Sequence, residues 1–251
     1  ELRTPLTLLL DAISFIVSAL FLGAIRQPEA APAESADSAS VWAEIKVGLR
    51  FTITQPTLRA LMGAMATWRF FGGFYAALYG LYVLRVIGLS PALLGIIVGM
   101  GGIGSLLGAM AADRLSGRWG LGRAIIGAFL WSSVIGLFVP LAGFAGSPAT
   151  AVALLLASQL LGDIGLTIYL INTLSVRQAI TPDEKLGRVN ATYGFVTGVL
   201  GTLGIFVGGL IGEAVGVRSA VVVAAVGGVT AVLWLIFSPV RTMVKLGIGG
   251  D

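Results

Sequence analysis

The chain is 251 residues long, 57% hydrophobic and 11% charged, with no Cys and no His, and its mean hydropathy is +0.96. A soluble domain carries about 25% charged residues, so this composition places the chain in a bilayer. The missing thiols and imidazoles exclude disulfides, Cys nucleophiles, His bases, His-ligated haem and the common zinc sites, and a scattered net charge of +4 offers no nucleic-acid surface.

A helix needs about 20 mostly apolar residues to cross the hydrocarbon core. Seven stretches qualify, near 6–25, 58–84, 92–112, 124–144, 149–175, 191–212 and 219–239, and Ser90-Pro91, Ser147-Pro148, Thr181-Pro182 and Ser238-Pro239 punctuate them. The expected class is therefore an all-α integral membrane protein with seven transmembrane helices. Arg26, Lys46, Arg50, Arg59, Arg114, Arg118, Arg123, Arg177, Lys185, Arg188, Arg241 and Lys245 fall on one side of those spans, and only Arg3, Arg85 and Arg218 on the other. Cytoplasmic loops retain positive charge, so the first side is expected inside, with the N-terminus outside and the C-terminus in the cytoplasm.

In the first span Asp11 lies one turn from the outer end and is expected to reach the interface or cap a neighbouring helix. The chain begins Glu1-Leu2-Arg3 with no initiator Met and no signal-peptide pattern, and it reads as a piece of a longer polypeptide. Residues 27–57 are expected as a cytoplasmic linker: a polar Ala/Pro/Ser/Glu-rich run over Pro28 to Ser40, then an amphipathic helix with Trp42, Ile45 and Leu49 on one face, lying along the inner membrane surface.

The second span carries Arg69 and the fifth carries Asp163. Each charge costs about 2.5–3.5 kcal/mol at a helix centre on insertion scales, so each is expected to face protein or water. Arg69 lies eleven residues from the cytoplasmic start of its span and Asp163 twelve from the cytoplasmic end of its own, which at 1.5 Å per residue puts both about 16–18 Å from the inner boundary. Around Arg69, Gly72, Gly73, Ala76 and Gly80 form a small-residue face, and Trp68, Phe71, Tyr75, Tyr79 and Tyr82 an aromatic one. An aromatic substrate suits the second face; so does plain packing or interfacial anchoring, the expectation for Tyr82. Gln159, Asp163 and Thr167 recur every fourth residue as a polar stripe. Gly95/Gly99, Gly104/Gly108, Gly194/Gly198 and Gly204/Gly208/Gly212 are spacings that let helices approach closely in lipid.

After the third span the sequence reads Gly108-Ala-Met-Ala-Ala-Asp113-Arg114-Leu-Ser-Gly117-Arg118, a small-residue helix end running into a tight basic loop. It resembles the loop signature of the major facilitator superfamily, with the gaps around Asp113 each changed by one residue. Leu-Leu-Leu-Asp11-Ala-Ile-Ser14-Phe15 and Arg177-Gln178-Ala-Ile-Thr181-Pro182-Asp183-Glu184-Lys185-Leu-Gly187-Arg188-Val-Asn190-Ala191 are similar to its efflux branch, which includes enterobactin exporters and macrolide-type pumps.

The resemblance implies the sixth span (1–26), the central loop (27–57), the six-helix C-terminal half (58–240) and the tail (241–251) of a twelve-span bacterial inner-membrane carrier. Its N-terminal half would be missing, and the half present would be a three-plus-three inverted repeat. The implied function is proton-coupled export of small amphipathic molecules, drugs or siderophores, by alternating access, with protons, substrate and lipid as partners and no cofactor. The implied cavity residues are Arg69, Asp163, Gln159, Thr167 and Tyr75, with Arg69 and Asp163 facing each other or sharing a water-filled pocket, as a coupling switch or as a static pair. The implied inner gate is Gly108, Asp113, Arg114, Gly117 and Arg118, with Asp113 meeting Arg177 or Arg188; alternatively these charges only retain the loops inside.

Other classes fit less well. The last span has no Lys for a retinal Schiff base. A membrane enzyme needs clustered acids, His or Cys, and a nucleotide-driven pump needs a Gly-rich phosphate loop, neither of which is present. A non-transporting membrane subunit remains the alternative.

Overall fold

The computed structural model describes residues 3–24 and 41–244. The linker over 25–40, with Arg26, and the tail from Lys245 lie outside the described residues, as do the side chains of Trp42, Glu44 and Ile45. Contacts divide the chain into two units, Glu1–Ala39 and Ser40–Asp251. The first contains helix α1 (Arg3–Gly23), whose side chains from Asp11 onward are exposed and in which the Ser14 hydroxyl donates to the Asp11 carbonyl at 2.7 Å.

The second unit contains α2 (Val41–Thr54), α3 (Pro56–Leu81), α4 (Pro91–Trp119), α5 (Leu121–Ile135), α6 (Phe138–Ala142), α7 (Pro148–Ile180), α8 (Asp183–Val215), α9 (Val217–Thr230) and α10 (Leu233–Ile236), with no strand among the described residues. The Ser-Pro signals act as expected. Ser90 and Ser147 cap α4 and α7 by accepting from the amides of Leu93 and Thr150 at 3.3 and 3.2 Å, and the following Pro supplies no amide that would need a partner.

Five segments are long and apolar enough to cross a membrane: Pro91–Trp119, Leu121–Ala142, Pro148–Ile180, Asp183–Val215 and Val217–Ile236. The expected second span falls short of that measure. In α1 the described apolar run is Asp11–Gly23, and α3 carries Arg59 and Arg69 among its small residues.

In chain order the six main segments fall into two sets of three, α3, α4 and α5 with α6, then α7, α8 and α9 with α10. α3 packs chiefly on α8 and α4 on α7; α5 then meets α7 as α9 meets α3. Exchanging the sets exchanges the contacts. Gly204, Gly208 and Gly212 of α8 lie against Phe70, Phe74 and Leu78 of α3, while Gly101, Gly104 and Gly108 of α4 lie against the Gln159 to Thr167 stretch of α7. Constant register in both seams means that each pair runs parallel, and the missing side chains permit the close approach.

The turns repeat as well. Gly120 (φ 85°) ends α4 and starts α5, and Gly216 (φ 89°) ends α8 and starts α9, a backbone region that L side chains avoid. Because α4 runs with α7, and α8 follows α7 in the opposite direction, these two turns lie at opposite ends of the bundle. The third helix of each set then breaks, after Ile135 and after Thr230, and resumes as α6 and α10.

Several expectations need correcting. The third span continues to Trp119, so Asp113, Arg114, Gly117 and Arg118 are helical; the left-handed turn sits at Gly120, and Gly117 is an ordinary helical position. The sixth helix begins at Asp183, eight residues before the expected span. α2 seats on the start of α8 through Gly48, where a Cβ would come within 2.7 Å of the Arg188 carbonyl oxygen, and Thr52 is buried. A small buried face thus carries that contact, and the compact unit starts at Ser40.

Candidate functional site

Two apolar cores pack the bundle. One gathers Leu61, Ala64, Ile125, Phe129, Val176 and Leu235; the other Tyr82, Val83, Ile97, Val139, Leu155 and Val221. On α3, α5, α7 and α9 the residues between these cores line a cavity of about 350 Å³, so it lies at mid-height, in the size range of small-molecule sites. α3 supplies Trp68, Phe71, Tyr75 and Tyr79, α5 supplies Ser132 and Ser133, and α7 supplies Ser158, Gln159 and Asp163.

Asp163 is half-buried and its position is set by α4. A Cβ at Gly101 would overlap the carboxylate and approach Gln159 Nε2 to 3.4 Å, and one at Gly104 would lie 3.2 Å from Asp163 Cβ. Among the described residues the carboxylate has no ion-pair or hydrogen-bond partner. The hydroxyls of Tyr75, Tyr79 and Ser133 are also buried without a partner. The Tyr75 and Tyr79 rings meet edge-on at 6.5 Å. A carboxylate and three hydroxyls thus converge in an aromatic chamber, the arrangement expected where a ligand completes the hydrogen bonding.

Arg69 does not pair with Asp163. It is exposed on the other side of α3, in a groove of about 290 Å³ shared with Thr197, Gly198, Gly201 and Thr202 of α8, and only Trp68 and Gly72 line both spaces. The internal repeat accounts for the separation. Arg69 and Asp163 occupy the first helix of their respective sets, at nearly the separation along the chain that divides Gly120 from Gly216, so the repeat turns them into different seams.

Of the other expected cavity residues, Gln159 and Tyr75 line the chamber, whereas Thr167 lies in the α4–α7 seam, its Cβ 3.0 Å from where a Gly108 Cβ would stand. Tyr82 is fully buried and donates to the carbonyls of Val139 and Pro140 at 3.2 and 2.9 Å, which is a packing role.

At the other end, Asp113, Arg114, Gly117 and Arg118 are exposed on the last turns of α4, with Arg114 Nη1 donating to the Met110 carbonyl at 2.9 Å. Arg177 makes no ion pair with Asp113. Its guanidinium lies 4.3 Å from the Tyr193 ring centroid, with Nε buried and unpartnered, and the Tyr193 hydroxyl reaches the Leu61 carbonyl at 3.4 Å. Arg188 is exposed near the start of α8.

A family model, that of the Major Facilitator Superfamily, matches residues 70–247, most of the chain, from the middle of α3 through α10. The chain belongs to the major facilitator superfamily. An uncharacterised MFS-type transporter of Yersinia pestis is 31% identical over 159 residues, covering 62% of this chain and 33% of that protein; the chain thus spans a third of the length of the curated relative it matches. No solved structure matches. Membership in a superfamily of membrane transporters points to small-molecule transport and away from an enzyme, and it agrees with the multi-pass helical fold.

In this major facilitator chain the chamber also holds serines beyond the polar stripe of α7. Ser132-Ser133 is a polar pair inside an otherwise apolar span, and Ser158 precedes Gln159, so a search for hydroxyls at mid-span would have found all three. Ala224 and Gly228 of α9 also line the chamber, but small residues in a lipid-facing pattern carry no such signal.

Proposed function

We propose that the chain is the sixth span and C-terminal half of a twelve-span, proton-coupled exporter in a bacterial inner membrane, and that it moves small amphipathic molecules, drugs or siderophores, by alternating access. In this reading α1 and α3 complete seven spans, the N-terminus faces outward, the C-terminus is cytoplasmic, and an N-terminal half of the same polypeptide closes the pathway.

The observation that carries the proposal is the unpaired Asp163 carboxylate at mid-height, in a chamber built by helices of both three-helix sets. A lone acid there is costly unless it is neutral, hydrated or engaged by a ligand, and with no His in the chain it is the group best placed to take up a proton in one state and release it in another. Trp68, Phe71, Tyr75 and Tyr79 offer the amphipathic wall. Asp113, Arg114, Gly117, Arg118, Arg177 and Arg188 cluster on the inner ends of α4, α7 and α8, where they would brace the closed inner face.

The test is expression of the full-length gene in an efflux-deficient bacterial host, screened against a drug panel and for siderophore secretion, beside its Asp163→Asn variant. The proposal expects resistance or secretion that the variant lacks at equal membrane abundance. Full export by Asp163→Asn would remove the coupling role, and no export of anything by the native protein would favour a non-transporting membrane subunit.

A further inference from the structure

We infer that the chamber selects an organic cation, a charged nitrogen centre on an aromatic or aliphatic body, and discriminates against anions; the inference rests on the transport reading and names its substrate class. The lining holds one ionisable carboxylate, Asp163, and no Lys or Arg. The cation at comparable depth, Arg69, opens into the α3–α8 groove, so among the described residues no side chain neutralises the acid. A ligand cation would supply the missing counter-charge.

The rest of the wall suits the same ligand. Trp68, Phe71, Tyr75 and Tyr79 present four aromatic rings to one space, and ring faces attract ammonium groups more strongly once water is removed. The orphaned hydroxyls of Tyr75, Tyr79 and Ser133 can accept from an N–H or solvate an ether or carbonyl on the ligand body. Anionic ligands such as catecholates or carboxylates would meet a like charge with no basic side chain in the lining to offset it. The carboxylate is held in place by Gly101 and Gly104, whose bare backbones leave room for α7 but no spare volume for the side chain to retreat toward α4.

Two probes of similar body and opposite charge decide the matter: benzyltrimethylammonium, a permanent cation, and benzylsulfonate, a permanent anion. Binding of each to the full-length protein in nanodiscs is measured by equilibrium dialysis against empty nanodiscs. The native protein is expected to bind the cation at least tenfold more tightly than the anion, with the preference lost in Asp163→Asn and kept in Asp163→Glu. Charge selectivity in the native protein needs no variant to fold. Equal or tighter binding of benzylsulfonate, an unchanged cation affinity in a folded Asp163→Asn, or no saturable cation binding up to millimolar concentration would each overturn the inference. Anion preference alongside Asp163-dependent export would remove the substrate class and leave the transporter; selective cation binding with no export would do the reverse.

Discussion

Replacing three neighbouring glycines of α4 one at a time separates packing from chamber chemistry. At Gly104 a Cβ would overlap the Leu160 carbonyl oxygen and stand 3.1 Å from its carbon. Backbone cannot yield without shifting α7, and overpacking of this kind costs about 1–3 kcal/mol, or roughly a 5- to 150-fold loss in the folding equilibrium constant. At Gly102 nothing lies within 4 Å, so Ala there is expected to be neutral or to add up to about 1 kcal/mol from helix propensity.

Gly101 is the informative case. Its Cβ would meet a carboxylate at the end of a rotatable side chain, and an off-rotamer side chain costs only about 0.5–1.5 kcal/mol. Gly101→Ala is therefore expected to fold nearly as well as the native protein yet to lose export, because Asp163 is displaced from its place on the chamber wall. Unfolding by SDS titration in mixed micelles, followed by tryptophan fluorescence, gives the stability order, and efflux of the same variants gives the function. Equal destabilisation by Gly102→Ala and Gly104→Ala would show that α4 does not pack on α7 through Gly104, and full efflux by Gly101→Ala would show that the position of Asp163 does not matter for export.

Three further predictions use the same protein. These 251 residues lack Cys, so in a full-length background with any other Cys replaced by Ser, Gly72→Cys and Gln159→Cys are expected to react with a membrane-impermeant thiosulfonate reagent, and Ala64→Cys, at a fully buried position, is expected to resist it under native conditions. Tyr82→Phe removes the donor shared by the Val139 and Pro140 carbonyls and is expected to cost about 1–3 kcal/mol in the same SDS titration, the range for leaving a buried group unsatisfied. Arg177→Lys replaces a planar guanidinium over Tyr193 with a compact ammonium and is expected to lose about 0.5–2 kcal/mol of stability, again by SDS titration.

Much of the helical order was legible because its signals are local. A Ser-Pro pair stops one helix and caps the next wherever it occurs, and a mid-span Asp is costly in any membrane fold. Tertiary placement was harder to read. Helical periodicity says that Gln159, Asp163 and Thr167 share a face, but it does not say that Gly101 through Gly108 lie against that face, with Thr167 in the seam and only the other two reaching the chamber. The separation of Arg69 from Asp163 depends on an internal repeat whose sequence trace is slight. Gly120 and Gly216 mark it, yet each reads as one glycine among thirty-six. The basic motif misled in a different way: Gly117 looks like a terminator by type, whereas the helix ends where the backbone needs a positive φ, three residues later.

In the proposed cycle the Asp163 carboxylate carries the coupling proton. Proteoliposomes containing the full-length protein and an entrapped pH-sensitive dye test it most directly, using a substrate found in the efflux screen. Proton movement is expected on substrate addition in the native protein and none in Asp163→Asn, with substrate counterflow retained by the variant once the substrate concentration is raised to offset its weaker binding. Proton movement of native size in Asp163→Asn would contradict it.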